Sequence, residues 1–137
     1  MRVDVDTVRR SFRSLAPQGV KLVDTFYDRL YTHYPEIRPL FCNEQRLMLL
    51  GMLEYLVSNL DNEPVLILFL KNICEKHSQQ GVNSGDYVKV GWALMESLEE
   101  VSQGQWTDRQ MEAWSGACDY INYLITEKIL SMSMAGI

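Results

Sequence analysis

Apolar residues recur along this chain at intervals of three and four, and alternating strand-like stretches are nearly absent, so the pattern predicts an all-α protein. Val8, Phe12 and Leu15 fall at i, i+4 and i+7 and define a first amphipathic helix that stops near Pro17. A second stripe runs through Val20, Val23, Phe26, Tyr27, Leu30 and Tyr31. It must end by Tyr34, because Pro35 disfavours helical geometry in the residue before it. Pro35 to Phe41, with Pro39 inside, reads as a stiff, irregular corner. Asn43 can cap the next helix, which continues to about Asn59 or Leu60. Its apolar face reads Met48, Leu49, Met52, Leu56 and Leu60, and Gln45 stands on the same face.

Pro64 suits the first turn of a further helix. Leu66, Leu70, Ile73 and His77 follow one another along its stripe at spacings of four, three and four. A polar break with Gly81 and Gly85 spans Ser78 to Asp86, and a helix is expected from about Tyr87 to Val101. After a turn at Gln103-Gly104, Thr107 and Gln110 are spaced as a capping box for a last long helix running past Trp114 towards Leu130. The count is about six or seven helices with no sheet. No repeat, linker or low-complexity tract divides residues 1–137, so a single domain is expected.

Composition narrows the classes. A chain of 137 residues with 47% hydrophobic and 23% charged residues can bury a core and is not disordered in type. A net charge of −5 without a basic stripe disfavours nucleic acid and anionic membrane as partners. The longest apolar stretches, such as Val65 to Leu70, fall far short of the roughly 20 residues of a membrane span. No signal-peptide core follows Met1, so the expected location is the cytoplasm. Cys42, Cys74 and Cys118 match no metal-binding or redox spacing and read as reduced thiols.

Candidate chemistry centres on histidine, of which there are two. His33, just before the Pro35 corner, reads as a solvated helix end. His77 lies on the inward stripe of its helix, and a buried imidazole needs a partner. Two readings of it stand: a core histidine bonded to a neighbour, or a metal ligand. Tyr27, Gln45 and Tyr87 add further polar groups on inward faces, costly to bury unless something gathers them.

Several segments resemble the haem domain of flavohaemoglobins and their single-domain bacterial globin relatives. The likeness is carried by Phe26-Tyr27-Asp28-Arg29-Leu30, Thr32-His33-Tyr34-Pro35-Glu36 and Pro39-Leu40-Phe41. It continues through Ser58-Asn59-Leu60-Asp61-Asn62, Lys76-His77, Gly81-Val82, Asp86-Tyr87 and Val90-Gly91, with Trp114 in the last helix. It extends from about Val8 to Glu127.

The resemblance implies a globin fold around a pocket for haem b (iron protoporphyrin IX). It implies His77 as the proximal iron ligand, Phe41 packed on the haem face, Tyr27 and Gln45 as the distal pair, and Leu49 as the apolar residue beside them. Tyr87 matches a tyrosine that steadies the proximal histidine through a glutamate of the last helix. Counting from Trp114, that glutamate falls at Ile129, whereas this chain has Glu127. Two residues rotate a helix by about 200°. Glu127 therefore serves only if the last helix is offset or distorted. The loop after Phe41 is also shorter than in flavohaemoglobins.

The implied ligands are O₂, NO and CO at a pentacoordinate iron. One functional expectation is oxygen binding with conversion of NO to nitrate, that is, nitric oxide dioxygenase activity. It needs a separate reductase, because the chain to Ile137 holds no flavin or nicotinamide domain. Another is an O₂ carrier, store or gas sensor without turnover. A third is a globin-fold protein with no haem, or with a bilin on a cysteine. Either a monomer or a homodimer is compatible with the sequence.

Overall fold

The computed structural model describes residues 3–41, 46–78 and 81–130, without the side chains of Phe41, Arg46, Leu47, His77 and Ser84. Within them lie six α-helices and no strand: α1 (Val5–Leu15), α2 (Gly19–His33), α3 (Arg46–Ser58), α4 (Glu63–Ser78), α5 (Ser84–Val101) and α6 (Asp108–Tyr123). Short 3₁₀ turns over Ala16–Gln18 and Pro35–Phe41 link the early helices, and α6 runs on as a π-helical segment, Leu124–Leu130. The expected all-α architecture is thus what forms.

Side-chain caps set most of the helix starts. Asp4 accepts from the Thr7 amide at 3.3 Å at the head of α1. Thr107 and Gln110 form the anticipated capping box of α6. A second box was not anticipated. Asn83 and Asp86 cap α5 reciprocally, so that helix begins at Ser84 rather than near Tyr87. The corner from Pro35 is regular rather than irregular, since two prolines fix φ at values a 3₁₀ turn accepts. Gln103 and Gly104 take positive φ (57° and 69°), making the predicted turn between α5 and α6.

α2 packs along α5, α1 lies across α6 and α3, and α4 rests chiefly on the π-helical segment. Three apolar clusters follow from this layout. One joins Val8, Leu22, Leu53, Val57, Leu98 and Trp114. In it the Trp114 indole N–H donates to Ser11 Oγ at 2.8 Å, and Ser11 donates in turn to the Thr7 carbonyl at 2.7 Å. A second surrounds Phe26, Tyr27, Leu30 and Ile37, and a third joins Leu66, Leu70 and Cys74 to Leu124, Ile125 and Ile129. Arg9 fastens the first of these by donating to the Val57 and Ser58 carbonyls at the end of α3.

Two expected inward residues point outward. Val20 is 63% exposed and Met48 57%. In α2 the buried stripe is Gly19, Leu22, Val23, Phe26, Tyr27 and Leu30, one residue out of phase with Val20. Gly19 lets α2 approach α3 closely, since a Cβ would come within 2.8 Å of Leu50 Cδ2 and push that side chain aside. α3 is apolar nearly all round, so its pattern does not select a face. Packing buries Leu53, Val57 and Leu60 and leaves Leu49, Met52 and Leu56 half-buried. The Asn43 cap lies outside the described residues.

Candidate functional site

Those half-buried residues of α3 are half-buried because they face a cavity. α3, α4, α5 and α6 enclose an apolar space of about 190 Å³. Leu49, Met52 and Leu56 form its α3 wall, and Leu70, Ile73 and Cys74 its α4 wall. Tyr87, Val90 and Leu94 close it from α5, and Cys118, Ile121 and Asn122 from α6. Each wall exposes a helical stripe spaced three and four apart, which is how four helices share one pocket.

His77 occupies the last turn of α4, four residues after Ile73 and three after Cys74, on the stripe that faces the cavity. Its imidazole is outside the described atoms. Leu49 lines the cavity and also packs into the second cluster, where Tyr27 sits. Tyr27 is buried, with its ring 5.2 Å from that of Phe26 and 5.6 Å from that of Tyr31. It does not line the apolar cavity; it edges a polar cleft of about 390 Å³ with Asp24, Asp28 and Arg38. Phe41 ends the Pro35 turn, and Gln45 lies outside the described residues. His33, the other histidine, is exposed and meets Trp92 edge-on at 4.5 Å.

Tyr87 is half-buried at the start of α5 and lines the cavity together with Cys74. Burial, and then the neighbouring Cys74 thiol, pushes the phenol pKa far up. Burial likewise raises the Cys74 thiol, against a lesser lowering by Tyr87, and pushes Cys118 up to about 12. Both thiols therefore stay protonated at neutral pH and are poor ligands or nucleophiles. Glu127 is exposed on the π-helical segment, while Ile129 is buried. The last helix runs on as the π-helical segment, in which Ile129 packs with Leu124 and Ile125 in the third cluster.

Cys74, Cys118 and Asn122 are site residues that sequence reasoning passed over. Cys74 sits on the His77 stripe, and Cys118, Asn122 and Ile125 follow at i, i+4 and i+7, so a helical-wheel signal existed. Asn122 Oδ1 is buried with no hydrogen-bond partner among the described atoms. No group of three His, Cys, Asp or Glu that could hold a bare metal ion occurs among the described residues. An apolar slot of this kind suits a metal that arrives already chelated in an apolar macrocycle, which a single imidazole can hold.

A family model described as Globin matches residues 24–125. The flavohemoprotein of Rhizobium meliloti (strain 1021) is 30% identical over 118 residues, covering 82% of this chain and 29% of that protein. The chain thus spans under a third of that relative's length. An engineered carbene transferase of Rhodothermus marinus, a protein designated a nitric oxide dioxygenase, superposes with a TM-score of 0.77 at 25% identity. That match covers 96% of this chain and 94% of the other. A bacterial globin of Campylobacter jejuni also gives a TM-score of 0.77, at 21% identity over 88% and 89% of the two chains. The last shows likeness of fold.

Proposed function

Since the chain belongs to the globin family, we propose that it binds haem b through His77 and takes O₂, NO or CO at the open side of the iron. The single observation that carries this reading is the apolar cavity bounded by the His77 stripe of α4 and by α3, α5 and α6. Haem in that slot supplies an iron centre that takes a diatomic ligand and exchanges electrons, giving nitrate from NO and O₂ when a reductase returns one electron. The chain's own groups do the rest. His77 would hold the iron through an imidazole nitrogen from its place in the last turn of α4. Leu49, Met52 and Leu56 exclude water and so strengthen any hydrogen bond made inside. Tyr27, buried in the cluster that Leu49 packs against, and Gln45 would be the donors toward a ligand carrying partial negative charge, and Phe41 would pack against the macrocycle. The protonated thiols of Cys74 and Cys118 leave His77 unchallenged for iron.

A second reading, reversible binding for storage, carriage or sensing, draws support from Glu127. A carboxylate in water adds less to an imidazole's electron donation than a buried one, and strong donation favours oxidative chemistry. The relative from Rhizobium meliloti is a flavohemoprotein, which supports a reductase as the source of electrons.

Titrating the full chain with haemin, followed by its absorption spectrum, tests the proposal. A saturable Soret band is expected, and its absence would leave a haem-free helical protein. Sustained NO consumption under O₂ with a reductase supports the dioxygenase reading. Consumption that stops after one equivalent supports reversible binding.

A further inference from the structure

We propose that Tyr31 and Arg38 are positioning residues for Tyr27: stacked in a row, they hold the plane of its ring and so the direction in which its phenol donates. For its ligand-release readout this rests on Tyr27 being a donor toward the iron-bound ligand; for its ring-motion readout it does not.

Tyr27 and Tyr31 lie one helical turn apart, at i and i+4, and so share a face of α2. Their rings stand 5.6 Å apart at 34°, while Phe26 meets Tyr27 edge-on at 5.2 Å and 72°. Two neighbours at such different angles oppose different motions of the ring between them. Over Tyr31 lies the Arg38 guanidinium, its central carbon 5.2 Å from the ring centre. Arg38, Tyr31 and Tyr27 thus form one row of contacts, running from an exposed cation to a phenol that is 7% exposed.

A long exposed side chain on a loose loop would wander, but Arg38 leaves a fixed turn. Pro35 and Pro39 restrict the backbone on either side of it. Ile37 beside it is fully buried, and its amide donates to the Tyr34 carbonyl at 2.9 Å. Glu36 is paired with Lys89 of α5 at 3.2 Å.

The plane of Tyr27 matters because a phenol O–H prefers to lie in its ring plane, where the oxygen lone pair conjugates with the ring. Fixing the plane therefore fixes where the proton points, and a hydrogen bond weakens steeply when misaligned. Tyr27 also edges the polar cleft of about 390 Å³ that Asp24, Asp28, Tyr31 and Arg38 line. A ring that tilts toward this cleft offers its proton to water instead of a ligand.

The test compares Tyr31→Leu, Tyr31→Phe and Arg38→Met in the full chain, each alone and combined with Tyr27→Phe. Leucine removes the stacked ring, phenylalanine keeps it, and methionine removes the charge of Arg38. Arg38 is exposed, so its replacement leaves the fold intact. Without haem, NMR of ring-labelled tyrosines measures how fast the Tyr27 ring flips. Flipping should quicken about three- to tenfold in Tyr31→Leu and about twofold in Arg38→Met, and stay near the wild-type rate in Tyr31→Phe. With haem, O₂ release should quicken in the same two variants, and neither should add anything on the Tyr27→Phe background. Wild-type flipping in Tyr31→Leu or Arg38→Met overturns the row, and so does phenylalanine behaving as leucine. An effect on O₂ release that persists without the Tyr27 hydroxyl overturns it too. A chain that takes up no haem, or whose O₂ release ignores Tyr27→Phe, overturns that reading alone, because ring flipping still judges the row.

Discussion

Asn122 offers a prediction whose size can be worked out. Its Oδ1 is buried in an otherwise apolar cavity without a partner among the described atoms. An acceptor taken out of water in this way costs about 1–3 kcal/mol. Leucine has a similar shape, adds no polar atom and matches neighbours such as Ile121 and Ile125. Asn122→Leu should therefore stabilise the cofactor-free chain by about 1–2 kcal/mol, the lower part of the range because the residue itself is only half-buried. In a domain of this size that raises Tm by roughly 3–8 °C. Thermal and urea unfolding of the full chain without haem measure it, with an unchanged urea slope showing that the unfolded state is not what moved. A neutral or destabilising result would refute the reasoning. It would mean that a water or another donor satisfies Oδ1 and that the cavity carries a built polar position.

Other expectations are briefer. Tyr27→Phe removes one donor toward the bound ligand and should speed O₂ release several-fold in stopped-flow measurements; an unchanged rate removes Tyr27 from the site. The Cys118 thiol is raised from its ordinary value near 9 to about 12, so the folded state holds its proton over a range where the unfolded chain loses it. Stability from this group is complete below pH 9 and is lost as pH rises towards 12; Cys118→Ala should flatten that alkaline decline in unfolding midpoints. Trp114→Phe breaks the bond to Ser11 Oγ, whose own bond to Thr7 survives, and should cost about 1 kcal/mol in urea unfolding.

The sequence declared its helices more clearly than their faces. Pro35, Pro64, the Gln103-Gly104 turn and the Thr107–Gln110 box are local signals, and the elements they bound form where expected. Val20 and Met48 were misassigned because several apolar residues compete around α2 and α3, and only packing against α5 and the cavity decides among them. The α4 stripe was legible, since Leu66, Leu70 and Ile73 leave one inward direction for His77. The Asn83–Asp86 box was present in the sequence and overlooked behind the glycines of the same break. Periodicity placed Cys74, Cys118 and Asn122 on inward stripes without giving them a role. A thiol or amide on a half-apolar stripe gains meaning only when four helices bring it to one cavity.

The most direct measurement replaces His77 with glycine and records haem content and ferrous-CO spectra of the full chain, with and without added imidazole. The account predicts loss of the histidine-ligated signature in the variant and its return with imidazole in the vacated position. Unaltered haem content and spectra in the glycine variant, with no response to imidazole, would contradict it.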